Sequence, residues 1–243
     1  MEHLGQHFHR YFDLIPGTTE EICDRIFRLR YQVYCEELGF EDASAFPDGL
    51  EKDEVDKHAL HCLLVHKPTG LSAGCFRLIL NPSENYRLPF EYACGERLDH
   101  SEWHPRELNH DQFGEISRLA VHSHFRRRNG ESQTPIGVTS GGLHDDAPRQ
   151  YPLVATGLFL GSTALAIYLG LSRVYVMMEP RLCRLLRACG IVFKQVGEVI
   201  DYHGQRGPFM ITQDLVYQHL PPDAKKLMEE FKDLYRQHEI KKP

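Results

Sequence analysis

Charged side chains stand where the sequence is otherwise apolar. Arg77 lies inside "GCFRLIL", Glu115 and Arg118 lie inside "GEISRLAV", and Arg30 falls between Leu29 and Tyr31. Asp53 and Asp56 stand in "EKDEVDKHA", just ahead of the first apolar runs. An unpaired buried arginine is costly, so each must find an anion or water. Arg77 therefore either faces solvent on an edge strand or meets a carboxylate. Arg30, Arg77, Asp53 and Asp56 offer two guanidiniums and two carboxylates. Such a set suits a zwitterionic, amino-acid-like ligand, because arginine pairs a carboxylate bidentately and aspartate pairs an ammonium. Plain alternation sends Glu115, Ser117, Leu119 and Val121 to one face of their strand. Ile116, Arg118 and Ala120 go to the other. A β-bulge would change that assignment.

Other chemistries are poorly supported. His58/His61 and His122/His124 have no carboxylate or cysteine at ligand spacing, so they read as polar loop-end histidines and no metal is expected. There is no Walker-type loop, GxGxxG fingerprint, GxSxG elbow or familiar Cys–His spacing. A net charge of −6 argues against a nucleic-acid binder. The seven cysteines are odd in number, scattered and without a CxxC pair, which suits a reducing cytoplasm. The N-terminal "MEHLGQHFHRYFDLIPG" is polar and His-rich, without a signal-peptide core. The stretch between Arg149 and Arg173 carries no charge. It contains Pro152, Gly157 and Gly161 and runs straight into "RVYVMM", so a buried core helix is expected, with no integral membrane span.

These residues need elements to position them. Thr18 and Glu21 read as a capping box for an amphipathic helix over 19–38, with Ile22, Ile26, Leu29 and Val33 at helical spacing and Gly39 as its stop. Residues 40–57 are acidic and irregular. The runs 59–66 and 72–80, joined by "KPTG", predict a hairpin. A short helix is expected within 81–113, a buried strand over 114–121, and a long loop over 126–152. The core helix follows at 156–169, then a strand (173–178), a helix (180–188), strands near 191–203 and 208–217, and an amphipathic helix at about 222–239. The order predicts one α/β domain over 1–243, a mixed central sheet flanked by helices.

Four blocks also resemble, in order, a known family. "FRLRYQVYCEELGFE" resembles the R-x-x-V-F…LGW helix of acyl-homoserine-lactone synthases, and "EKDEVDKHA" their E-x-D-x-x-D segment. "GCFRLIL" is similar to their G-x-x-R-L-L strand, and "GEISRLAV" to their E-x-S-R-F-A-V strand. The C-terminal "GIVFKQVGEVIDYHGQRGPFMI" looks more like N-acyl amino acid synthases and the acyltransferases associated with PEP-CTERM/exosortase systems. The resemblance implies a GNAT-like fold, an N-acyltransferase, and no tightly bound cofactor. It implies an acyl-carrier-protein thioester on a phosphopantetheine arm as donor, with acyl-CoA as the alternative. It further implies that Arg30, Asp53, Asp56, Arg77 and Arg118 line or brace the acceptor side, and that Glu115 accepts the amine proton. Phe40 replaces the family's tryptophan after LG in the acceptor pocket, so a small-molecule amine such as an amino acid competes with S-adenosylmethionine as acceptor. A non-catalytic acyl-ligand-binding module on the same fold is the remaining alternative.

In such a fold the strands 115–121 and 173–178 would flank the reaction. Leu119, Val121, Val174, Val176 and Met178 would then line an acyl slot, or serve as ordinary core. A coenzyme A phosphate cradle needs backbone N–H groups at a helix N-terminus. The basic turn Arg126–Arg127–Arg128 is instead followed by a long loop. These arginines, with Arg181, Arg184 and Arg187, are expected to dock an acidic acyl carrier protein.

Overall fold

Helix α1 (Leu4–Tyr11) buries only Phe8 and runs directly into strand β1 (Phe12–Pro16). The computed structural model describes residues 4–99, 101–126 and 150–243. Both α1 and β1 are additions to the sequence reading. Helix α2 (Glu20–Tyr31) starts one residue later than expected. Its N-cap is Thr19, whose hydroxyl accepts from the Ile22 N–H at 3.3 Å. Acidic Glu20 and Glu21 in the first turn and basic Arg28 and Arg30 in the last suit the helix dipole. The helix then widens into a π-helical segment, Gln32–Glu37. Leu38 N–H reaches back to the Val33 carbonyl, and Gly39 ends the run at φ +62°, where a side chain would be strained.

The expected hairpin is present as β2 (Ala59–His66) and β3 (Ser72–Leu80). After α3 (Pro89–Cys94) come β4 (Phe113–Val121), α4 (Gln150–Tyr168), β5 (Arg173–Met178) and α5 (Pro180–Ala188). Helix α4 buries Leu153, Val154, Leu158, Phe159, Leu160, Ala164, Leu165 and Ala166, and Ser162 satisfies its hydroxyl on the Phe159 carbonyl. That is the all-round apolar surface of a core helix. Among the described residues, no helix is long and apolar enough to cross a membrane.

The C-terminal strands are shorter than predicted: β6 (Lys194–Gln195), β7 (Ile200–Asp201) and β8 (Gln205–Thr212). Residues 213–217, expected as strand, begin α6 (Gln213–His219), because the Thr212 hydroxyl caps it by accepting from Leu215 N–H. Helix α7 (Pro222–Gln237) closes the chain with Ala224, Leu227, Met228, Phe231 and Tyr235 buried.

The strands form one mixed eight-stranded sheet of order β1-β2-β3-β4-β5-β8-β6, with β7 on β8. β4 and β5 are parallel, as a crossover through α4 requires. The chain divides into two compact units. The first gathers the described residues of Met1–Glu54, His61–Arg77 and Arg118–Ser162; the second gathers Val55–Leu60, Leu78–Ser117 and Thr163–Pro243. In the first, Ile26 and Leu29 of α2 and Val33 of the π-helical segment pack with Leu63, Cys75 and Ala120. In the second, Phe90, Phe113, Tyr175 and Met210 anchor the core, with Phe90 and Tyr175 rings stacked at 4.7 Å.

Candidate active site

The charged residues of the first unit converge on one carboxylate that the sequence reading passed over. Glu51 is buried and accepts from Arg30 Nε at 2.5 Å through Oε2. Its Oε1 accepts from Arg118 Nε at 3.2 Å and Nη2 at 3.1 Å. Arg118 also reaches Glu41 at 2.6 Å and Asp53 at 3.7 Å. Asp53 in turn holds Arg77 at 2.7 Å. The edge-strand reading of Arg77 is therefore corrected: it is buried, and a carboxylate partners it. Burial alone would raise the Glu51 carboxyl. The hydrogen bond and charge of Arg30, then those of Arg118, outweigh it and hold Glu51 below the ordinary value of 4.5. Burial likewise disfavours the Arg118 cation, but Glu51 more than restores it, so its pKa lies above the ordinary arginine value.

Arg118 owes its direction to the backbone. Its φ of 47° breaks the pleat of β4, so simple alternation fails there, as a bulge would make it. Two buried groups hold the kink. Tyr34 Oη donates to the Leu119 carbonyl at 3.2 Å, and Cys75 Sγ lies 3.7 Å from the Arg118 carbonyl. The Arg118 guanidinium sits 5.1 Å from the Tyr34 ring centroid, a cation–π contact. The π-helical segment matters here: Phe40 and Glu41 N–H both bond the Tyr34 carbonyl, which fixes Glu41 at Arg118. Burial, then Glu51 and Glu41, pushes the Cys35 thiol up to about 11, and burial pushes Cys75 up to about 12. Neither is a ready thiolate nucleophile.

Arg30, Asp53, Arg77 and Arg118 are thus brought together, joined by Glu41 and Glu51. Arg30 braces the network and is too deeply buried to serve as an open ligand-binding group. Phe40 is half-buried and packs on the α2 core. Asp56 stands in the turn Glu54–His58 and Glu115 on β4, both in the second unit. Glu115 is buried and accepts from the Phe90 N–H at 3.0 Å, in the first turn of α3. Glu91 accepts from Leu88 N–H at 2.8 Å in the same turn. The ladder between β4 and β5 ends at Ile116–Val176, while β4 continues to Val121 and β5 to Met178. Leu119, Val121, Val174, Val176 and Met178 are all buried.

One docking expectation needs correction. The Arg126 side chain is buried and ion-paired with Glu37, so it offers no charge to a carrier protein. Arg127 and Arg128 lie outside the described residues. Arg184 and Arg187 on α5 are exposed and Arg181 half-buried. His122 accepts from the His124 N–H at 3.0 Å, and His61 packs on Phe27.

Comparison with known proteins agrees with this architecture. Residues 29–134 match the family model described as an acetyltransferase (GNAT) domain. No curated protein matches the chain. Among solved structures, the AHL synthase LasI is similar over 86% of this chain and 95% of its own, at 16% identity and a TM-score of 0.56. MesI, a CoA-dependent acyl-homoserine lactone synthase, is similar over 94% and 96%, at 21% identity and TM-score 0.57. FeeM, an N-acyl amino acid synthase from uncultured soil microbes, is similar over 86% and 94%, at 12% identity and TM-score 0.53. At these identities the likeness is one of fold. The chain has a GNAT-like fold, shared with solved acyl-homoserine-lactone and N-acyl amino acid synthases, and carries within it the match to the acetyltransferase (GNAT) domain.

Proposed function

We propose that the chain transfers a fatty acyl group from a thioester on acyl carrier protein to the amine of an amino-acid-like acceptor. The observation that carries this reading is the buried ionic network around Arg118, built on a kinked β4. A thioester is already activated, so the amine can attack its carbonyl directly. The C–N bond forms as the C–S bond breaks. The amine proton passes to Glu115, directly or through water, and finally to the departing thiolate. Developing oxyanion charge needs a backbone N–H, and the end of the β4–β5 ladder at Ile116–Val176 is where such donors leave regular pairing. The network around Arg118 orients the acceptor and lowers the entropic cost of the encounter.

The burial of Arg126 with Glu37 favours a second donor, acyl-CoA, because it removes one arginine from the expected carrier-docking patch. MesI, similar in fold, is described as CoA-dependent. On the acceptor side, an acyl-homoserine lactone made from S-adenosylmethionine is the rival product. Mass spectrometry of lipids from an expressing host separates open-chain N-acyl amino acids from lactones. Turnover of purified protein with matched acyl-carrier-protein and acyl-CoA thioesters identifies the donor. No new N-acyl product in the host, and no thioester consumption in vitro, would refute acyl transfer and favour a non-catalytic ligand-binding module.

A further inference from the structure

Each guanidinium of the network already has a protein carboxylate. Arg30 is held by Glu51, Arg77 by Asp53, and Arg118 by Glu41, Glu51 and Asp53. Among these side chains three positive charges face three negative ones. An acceptor carboxylate arriving at Arg118 would be the fourth around a single guanidinium. It would meet the repulsion of the others, or displace one and leave it without its partner.

Exposure grades the network in a telling way. The Arg30, Glu51 and Arg77 side chains are 1%, 1% and 3% exposed, whereas Arg118 is 20%, Glu41 31% and Asp53 32%. What the network turns towards solvent is therefore two carboxylates and one guanidinium, an excess of negative charge. Glu41 is held at both ends, its N–H on the Tyr34 carbonyl and its carboxylate on Arg118, so its position is set before any acceptor arrives.

We propose, resting on the acyl-transfer reading above, that this network selects its acceptor by positive charge and does not read a free carboxylate. The preferred acceptor class is an ammonium compound whose carboxyl is masked as an amide or ester, and Glu41 sets that preference. The charge change of the reaction fits. The acceptor arrives as a cation and gives up one proton to water to free its amine. As the C–N bond forms and the C–S bond breaks, its second proton leaves with the thiolate, so the nitrogen ends as a neutral amide. The product thereby loses its attraction to Glu41, which assists release.

The test compares leucine with leucinamide and phenylalanine with phenylalaninamide as acceptors for the purified chain. The donors are a long-chain acyl-carrier-protein thioester and the matching acyl-CoA, with product measured by mass spectrometry. An amide's amine is less basic than that of the free acid, and this alone alters reactivity. The decisive quantity is therefore the amide-to-acid ratio of kcat/KM in native protein relative to Glu41→Gln, in which the amine chemistry cancels. The native protein is expected to favour the amides, and the ratio to fall about fivefold in the variant. A native preference for the free acids, or a ratio unchanged in Glu41→Gln, overturns the inference and leaves acyl transfer standing. Acylation of none of the four amines by either donor overturns both. If Glu41→Gln does not fold, the native ratio is measured from low to high salt. Contraction at high salt supports the inference, and a salt-independent ratio overturns it.

Discussion

Replacing Glu51 by glutamine isolates the central charge of the network with almost no change in volume. The carboxylate accepts through both oxygens, Oε2 from Arg30 and Oε1 from Arg118. Glutamine keeps one acceptor and turns an N–H₂ donor towards a guanidinium donor. Arg30 and Glu51 side chains are both buried, so Arg30 would be left as an uncompensated cation in the protein interior. Breaking such a pair from one side costs about 3–5 kcal/mol. For a chain of this length that lowers the melting temperature by roughly 10 °C. Circular dichroism melts and urea titrations of native protein, Glu51→Gln, and the double variant Arg30→Met/Glu51→Leu measure it. The double variant removes both buried charges and should recover much of the loss. The pH dependence supplies an independent sign. Glu51 has a folded pKa below its ordinary 4.5, so the unfolded chain binds more protons between the two values. Its contribution is fully present above the unfolded pKa and is lost as pH falls through the folded one. Native protein should therefore lose stability more steeply than Glu51→Gln as pH drops below about 4.5. A Glu51→Gln variant within about 1 kcal/mol of native, or a double variant no better than the single one, would refute a charge-compensated core.

Further outcomes follow from other contacts. Tyr34→Phe keeps the ring beneath Arg118 but deletes the hydroxyl bond to the Leu119 carbonyl. It should raise the acceptor KM about fivefold while leaving the donor KM unchanged, the loss of about one hydrogen bond. Equal changes in both constants would mean a general packing role. Glu115→Gln can still accept from the Phe90 N–H, so its melting temperature should stay near native, whereas single-turnover acyl transfer should slow about 100-fold. A rate near native would remove Glu115 as the proton acceptor. Gly114→Ala would place its Cβ 2.6 Å from the Ile79 carbonyl oxygen, which cannot yield as a side chain tip would. Destabilisation of about 1–3 kcal/mol is expected in urea titration.

Much of this architecture is legible because periodicity and stop signals act locally. The strand at Arg173–Met178 and the helix at Pro180–Ala188 follow from an apolar run and a proline placed at a first helical turn. Gly39 and Gly170 end their helices at positive φ, as their sequence positions suggest. The N-terminal α1 and β1 are illegible for the opposite reason. α1 is eight residues with one buried side chain, and β1 gains its partner β2 about fifty positions later. The C-terminal ladders of two residues carry no alternation to read. In the network, Arg30, Asp53, Arg77 and Arg118 stand out because charge interrupts apolar surroundings or precedes a strand. Glu41 and Glu51 do not stand out by charge, because each lies in an acidic stretch that resembles a solvated loop, although Glu51 is the first residue of the E-x-D-x-x-D segment. Glu51 meets partners 21 positions before it and 67 after, a pairing that only the fold creates.

The network is also hard to explain as a stability device. Burying Arg30, Glu51 and Arg77 takes three charges out of water, and their mutual attraction does little more than offset that loss. A well-packed apolar cluster at the same positions would hold the first unit at least as firmly. The cost is compounded at Arg118, where a non-glycine residue is kept at φ 47°. Yet the surroundings are arranged to enforce that geometry. Tyr34 and Cys75 hold the adjoining carbonyls, the π-helical segment delivers Glu41, and Glu51 is kept ionised by two arginines. An arrangement that spends stability to fix one guanidinium and its outer carboxylates in a set direction is better accounted for by what they must orient than by what they hold together. On the acyl-transfer reading proposed above, the acceptor's charge, rather than the acyl chain or the carrier, is the property on which this part of the molecule would bear most directly.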